Sequence, residues 1–150
     1  MKQCKQKHDD CHNTPTIKSS GQNLAWSATT GNFDTADEAI KSGIKSWFDE
    51  APNGAQSTID NCCESANGKE VLHFTQMAQD KAIQVGCALS QYTTGEWKNS
   101  LMACNYAYPN LQDTPVYVTG GTASGCTSGT NSKFSGLCST SEQINPNAFD

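Results

Sequence analysis

Eight cysteines, Cys4, Cys11, Cys62, Cys63, Cys87, Cys104, Cys126 and Cys138, run the length of the chain and set the terms on which it can fold. An even set spread through a polar, loop-rich chain reads as a disulfide framework made in an oxidising compartment. A metal cluster would need paired spacings such as C-x2-C or H-x3-H. Cys4 and Cys11 stand seven apart and Cys62 and Cys63 are adjacent, so neither pair fits a zinc knuckle. The staples matter because 150 residues amount to one domain whose apolar share is only 35%.

The formal net charge is −5, with no Lys/Arg cluster that could displace counterions from a phosphate backbone, which argues against nucleic acid as a partner. No apolar run has transmembrane length. The opening Met1-Lys2-Gln3-Cys4 has no apolar signal core, so the sequence is expected to be an N-terminally truncated form of a secreted parent.

Ala36, Ala39, Ile40, Gly43, Ile44, Trp47 and Phe48 recur at helical spacing, with Asp34 or Thr35 as cap and Asp37 and Glu38 in the first turn. Ala51-Pro52-Asn53-Gly54 ends that helix. Residues 53–69 read as a loop carrying the vicinal cysteines, and residues 71–82 as a second, shorter helix. Residues 84–91 and 100–108 alternate as a hairpin around Thr93-Thr94-Gly95, and residues 115–118 read as a third short strand. Helices on a short antiparallel sheet make an α+β fold. Residues 119–150 form a Cys/Gly/Ser-rich tail behind a domain over residues 1–118.

Five elements stand in a familiar order: Cys4-x3-His8, Gly21-Gln22-Asn23-Leu24, Trp47-Phe48-Asp49-Glu50, His73-Phe74-Thr75-Gln76-Met77 with Val85-Gly86-Cys87, and Cys104-Asn105-Tyr106 through Pro109-Asn110. They resemble the signature motifs of the CAP superfamily, the cysteine-rich secretory, antigen 5 and pathogenesis-related proteins. The tail around Gly125-Cys126 and Gly136-Leu137-Cys138 is similar to that of the nematode venom-allergen-like, Ancylostoma-secreted-protein-like branch. The resemblance implies an α-β-α sandwich, here without the family's first helix.

It also implies that Cys87 pairs with Cys104, while Cys126 with Cys138 would staple the tail. Cys62 and Cys63 are expected each to reach back to Cys4 or Cys11, in an order the sequence leaves open, because neighbouring cysteines rarely bridge each other. Ala88 through Tyr92 lacks a further cysteine that many family members carry there, which leaves the partner of Cys4 open.

In this family a cavity gathers two histidines and two glutamates and can hold a divalent metal such as zinc. Carried over, His8 and His73 are the histidines, Glu50 is one acid, and Gln22 stands where the other acid belongs. Two imidazoles and a carboxylate suit zinc, whereas an amide is a poor base and a weak ligand that can still orient an imidazole. His12 is the fallback ligand. The plainer readings are a buried, satisfied His73, a solvent-facing Glu50, and a His8 set in the polar stub of Lys5, Lys7, Asp9 and Asp10.

No G-x-S-x-G elbow or H-E-x-x-H helix occurs, and nothing marks Thr75, beside His73, as activated, so catalysis is not expected. The resemblance implies a secreted, extracellular, non-enzymatic protein binding a sterol or other lipid and acting on a host. A receptor-binding immunomodulator or allergen engaging a host cell-surface protein is the alternative, and a metal-dependent hydrolase is a disfavoured third.

Overall fold

The computed structural model describes His8 and residues 12–148; Cys4 and Cys11, and with them the two links expected from Cys62 and Cys63, lie outside the described residues. Three strands form one antiparallel sheet in the order β1-β3-β2: β1 (Gly21–Thr29), β2 (Val85–Thr94) and β3 (Trp97–Tyr106). The hairpin β2–β3 closes over Gly95-Glu96, between the paired Thr94 and Trp97. Gly95 takes φ 60°, the left-handed geometry that a two-residue hairpin turn asks of glycine.

The helix α1 (Ala36–Phe48) starts on a capping box, since the Thr35 hydroxyl accepts from the Glu38 amide and the Glu38 carboxylate accepts from the Thr35 amide. Ala39, Gly43 and Trp47 are its buried residues, while Ile44 and Phe48, read with them as one face, are exposed. After a 3-10 turn (Ala51–Asn53) come α2 (Gln56–Asp60) and α3 (Leu72–Ala78). Helices α1 and α3 pack on each other and on β1.

The main core gathers Trp47, Met102, Cys104 and Tyr106, with Ala25, Ile40, Met77 and Leu89 packed against it. A second cluster joins Ile59, Cys62 and Val116, flanked by Phe74, Ala78 and Tyr117.

Three sequence expectations change, and one element was not read at all. The segment Gly21–Thr29 is a strand that its own pattern does not announce, and nine consecutive pairs with β3 impose it. Residues 115–118 form no strand: the Val116 amide donates to the Ile59 carbonyl and its carbonyl accepts from the Asp80 amide, so its backbone bridges loop ends. The second helix stops at Ala78 because Asp80 N–H turns to Val116 and the Gln79 side chain accepts from Lys81 N–H. The stretch read as loop 53–69 contains α2.

Cys87 bonds Cys104 across the hairpin, at a sequence separation of 17, a loop whose closure is worth about 3 kcal/mol in the chain-entropy view. Cys126 bonds Cys138 in the tail. Cys62 and Cys63 lie side by side across a cis peptide, their Cα atoms 3.1 Å apart. The tail returns to the body, where Asn147 accepts from Lys18 N–H and donates to the Thr16 carbonyl, and the Tyr108 hydroxyl donates to the Ala148 carbonyl.

Candidate functional site

The chain leaves α1 and turns at once, which carries Glu50 beneath the start of α3. Helix starts leave backbone N–H groups without intrahelical partners. Glu50 fills two of these vacancies, its Oε2 accepting from the amides of His73 at 3.0 Å and Phe74 at 3.1 Å. Its other oxygen lies 2.6 Å from His73 Nδ1. Trp47 stacks against the imidazole, centroids 6.2 Å apart and planes 11° from parallel. A carboxylate on Nδ1 is the arrangement that fixes a histidine tautomer and leaves Nε2 to take a ligand.

Glu70 completes the group. Ligand atoms of Glu50, Glu70 and His73 lie within 4.8 Å of one another. Two carboxylates and one imidazole fit zinc or another borderline-to-hard divalent ion. Sequence reasoning missed Glu70. Glu70 stands three residues before His73 in sequence but ahead of α3, so no helical spacing announced it.

His8 is paired with Gln22: its Nδ1 is 2.9 Å from Gln22 Oε1, and Gln22 Nε2 donates to Asn105 Oδ1 at 2.9 Å. The four positions carried over from the motifs are thus placed as two pairs, His73 with Glu50 and His8 with Gln22. His12 lies 2.9 Å from the Ser20 carbonyl and lines a separate groove with Val85 and Tyr106, apart from the Glu50 group.

The other motif residues serve as scaffold. Gln76 is buried, donating to the Tyr108 carbonyl at 2.8 Å and accepting from Asn110 N–H at 3.0 Å. Asn110 donates to the Leu72 carbonyl and the Thr75 hydroxyl, and Asn23 donates to the His73 carbonyl. These bonds lock α3, and with it His73, to β1 and to the segment after β3.

A cavity of about 310 Å³ opens between α1 and the sheet, with Leu24, Ala25, Trp47, Leu89 and Met102 among its walls and Glu50 and His73 at a polar end. Ser42, Ser46 and the exposed Trp26 also line it. The cavity can therefore take an apolar body together with one hydrogen-bonding group.

The sequence profile of the family described as "CAP: Cysteine-rich secretory protein family" matches residues 1–106. The chain belongs to this family. It is 36% identical over 143 residues to Venom allergen-1 of Aedes aegypti, covering 95% of this chain, and 33% identical over 116 residues to Venom allergen 5 of Vespa magnifica, covering 77% of it. This CAP chain spans 56% and 48% of those relatives, about half their length.

Among solved structures it is similar to the crystal structure of NaASP2 with Zn2+, with a TM-score of 0.67 and 27% identity, covering 92% of this chain and 67% of that one. BmVAL-1 follows with a TM-score of 0.63 and 25% identity, covering 82% and 62%. The α+β fold and the venom-allergen-like kinship read from the sequence are those of these relatives.

Proposed function

We propose that this CAP protein is an extracellular, non-enzymatic carrier that takes part of a sterol or similar amphipathic lipid into the cavity between α1 and the sheet. The observation that carries the reading is that cavity, lined by the apolar Leu24, Ala25, Leu89 and Met102, by the hydroxyls of Ser27, Ser42, Ser46 and Ser100, and by Glu50 and His73. At about 310 Å³ it stands at the lower limit of ligand pockets, which run from roughly 300 to 1,000 Å³, so it suits a ring system or chain segment rather than a whole large lipid. Its hydroxyl-bearing wall supports binding over catalysis, since Ser46 spends its O–H on the Gly43 carbonyl and His73 Nδ1 is committed to Glu50. The Cys87–Cys104 and Cys126–Cys138 disulfides and the venom-allergen relatives support secretion.

Ser42→Phe, which fills the mouth of the cavity from an exposed position, is expected to weaken binding of the fluorescent sterol dehydroergosterol by about tenfold at unchanged melting temperature. Equal affinity in the variant would remove the cavity from the reading.

A second reading concerns the metal, and the Glu50–Glu70–His73 group favours it. His73, oriented by Glu50, and Glu70 would hold a zinc ion at the polar end; such an ion supplies a Lewis-acid contact to a ligand oxygen. NaASP2, a structure with Zn2+, has a similar fold. Zinc titration by calorimetry is expected to show affinity falling by roughly 10–100-fold in both His73→Ala and Glu70→Gln. Retention of wild-type affinity by Glu70→Gln would exclude that carboxylate and return the second ligand to the His8 side.

A further inference from the structure

We propose that Asn67-Gly68 is a self-modifying site, where the Gly68 backbone nitrogen attacks the Asn67 side-chain amide and the isoaspartate that results loosens Glu70 from Glu50 and His73. The modification stands on the loop alone; its effect on zinc affinity rests on the metal reading above.

The chain holds two Asn-Gly steps, Asn53-Gly54 and Asn67-Gly68. Glycine after asparagine removes the side chain that would keep the backbone nitrogen from reaching the preceding amide. Composition alone makes the two steps alike, and the fold separates them. Asn53 is half-buried in the 3-10 turn, and the Gly54 N–H donates to the Ala51 carbonyl at 3.1 Å, which commits that nitrogen to the turn. Asn67 and Gly68 are both exposed, and among the described residues the Gly68 N–H has no hydrogen-bond partner. Apart from its chain neighbours, nothing stands within 4 Å of the place a Gly68 Cβ would take, which leaves the nitrogen room to turn toward Asn67. Asn67 Oδ1 accepts from the Lys69 N–H at 3.1 Å, a donor that polarises the amide carbon and steadies the oxyanion formed on attack.

In the reaction the Gly68 nitrogen bonds to Asn67 Cγ, the Cγ–Nδ2 bond breaks, and ammonia leaves with the proton that the nitrogen carried. Water then opens the cyclic imide. Cleavage at Cγ gives aspartate, and cleavage at the main-chain carbonyl gives isoaspartate, whose backbone runs through the side-chain carbon. Either product is an amide exchanged for a carboxylate, with no oxidant or reductant involved.

The loop is wired to the Glu50 group. Asn67 Nδ2 donates to Asn53 Oδ1 at 3.2 Å, and Asn53 ties the two acids together. Its backbone N–H donates to the Glu50 carbonyl at 2.8 Å and its Nδ2 to the Glu70 carbonyl at 2.7 Å, while its own carbonyl accepts from the Ala66 N–H at 2.8 Å. With Nδ2 spent on Glu70, the Asn53 side chain meets Asn67 through Oδ1, which needs a donor. A carboxylate at position 67 has no hydrogen to give, so two acceptors face each other. Isoaspartate also lengthens the backbone in the run Asn67-Gly68-Lys69-Glu70, ahead of a carboxylate that lies within 4.8 Å of the ligand atoms of Glu50 and His73.

The test ages the whole folded protein in mildly alkaline buffer and reads it by tryptic peptide mapping. Cleavage after Lys45 and Lys69 leaves both steps in one peptide, whose fragment ions locate the exchanged amide. Asn67 is expected to convert at least about tenfold faster than Asn53, and the product to be methylated by protein-isoaspartate methyltransferase. In denaturant the two rates should draw together, because only the fold distinguishes them. The Ala66 N–H is expected to exchange with solvent about tenfold faster in the aged protein, and zinc affinity to fall about tenfold. Asn67→Gln, a change at an exposed side chain, should stay unmodified at that position and keep both properties through ageing. Equal rates at Asn53 and Asn67 in the folded protein, or no conversion at Asn67, would overturn the site. Conversion with unchanged Ala66 exchange would overturn the link to Glu70. Failure of fresh protein to bind zinc would count against the metal reading alone, and the mass and exchange results would still decide this one.

Discussion

Trp47→Ala is expected to destabilise the protein by about 3–5 kcal/mol, lowering the melting temperature by roughly 10 °C. The indole is 2% exposed and sits at the centre of the main core with Met102, Cys104 and Tyr106. Truncation removes this apolar volume from between α1 and the sheet, whose disulfide and backbone ladder limit how far the wall can collapse. It also frees the Leu24 carbonyl, which accepts from the indole N–H at 3.1 Å. Trp47→Phe keeps most of the apolar contact and loses only that bond, so its cost is expected near 1–2 kcal/mol. Equilibrium unfolding in urea gives both numbers. A loss under about 1 kcal/mol for Trp47→Ala would mean that the core is not organised around this side chain. Because the same ring stacks on His73, zinc affinity should fall in Trp47→Ala even where the protein remains folded.

The helix that presents Trp47 was the most legible part of the chain. Its apolar period, the acids in its first turn and the Thr35–Glu38 box all point one way, and local consistency of that kind survives folding. The hairpin was legible for the same reason, with Gly95 at its turn. The strand Gly21–Thr29 was not, because Gly-Gln-Asn-Leu-Ala-Trp-Ser-Ala-Thr has no alternation of its own, and its conformation is set by β3. Residues 115–118 erred the other way: Val-Tyr-Val has the composition of a strand, but Val116 is buried while Val118, two residues on, is 83% exposed, so the segment lacks the period of a strand.

The site divides along a similar line. Motif spacing named His73 and Glu50, yet only the turn after α1 shows why Glu50 serves the imidazole and the helix start together. Glu70 escaped notice because an exposed acid beside Lys69 in a polar loop is indistinguishable from a solvated one until the fold brings it to His73.

Gln76→Ala is expected to cost about 2–4 kcal/mol, because it strands two backbone groups at once, the Tyr108 carbonyl and the Asn110 N–H. A buried amide is required here, since it both donates and accepts. Gln76→Glu makes the point with pH. Burial raises the folded-state pKa of the introduced carboxyl above its unfolded value, so its protonated form can donate to Tyr108 and the fold is retained at acid pH. That stability is lost as pH rises through the folded pKa. Urea midpoints that rise with pH relative to wild type would contradict the assignment.

The same amide explains why position 21 is glycine: a Cβ there would overlap the Gln76 side chain, which two hydrogen bonds hold in place. Gly21→Ala alone is therefore expected to cost about 1–3 kcal/mol by overpacking. In the Gln76→Ala background the space is open, and the added cost should fall close to zero, a coupling that a double-mutant cycle reads directly. Additive losses would show that Gly21 and Gln76 do not share that space, and that the contact between β1 and α3 which positions His73 is made by other groups.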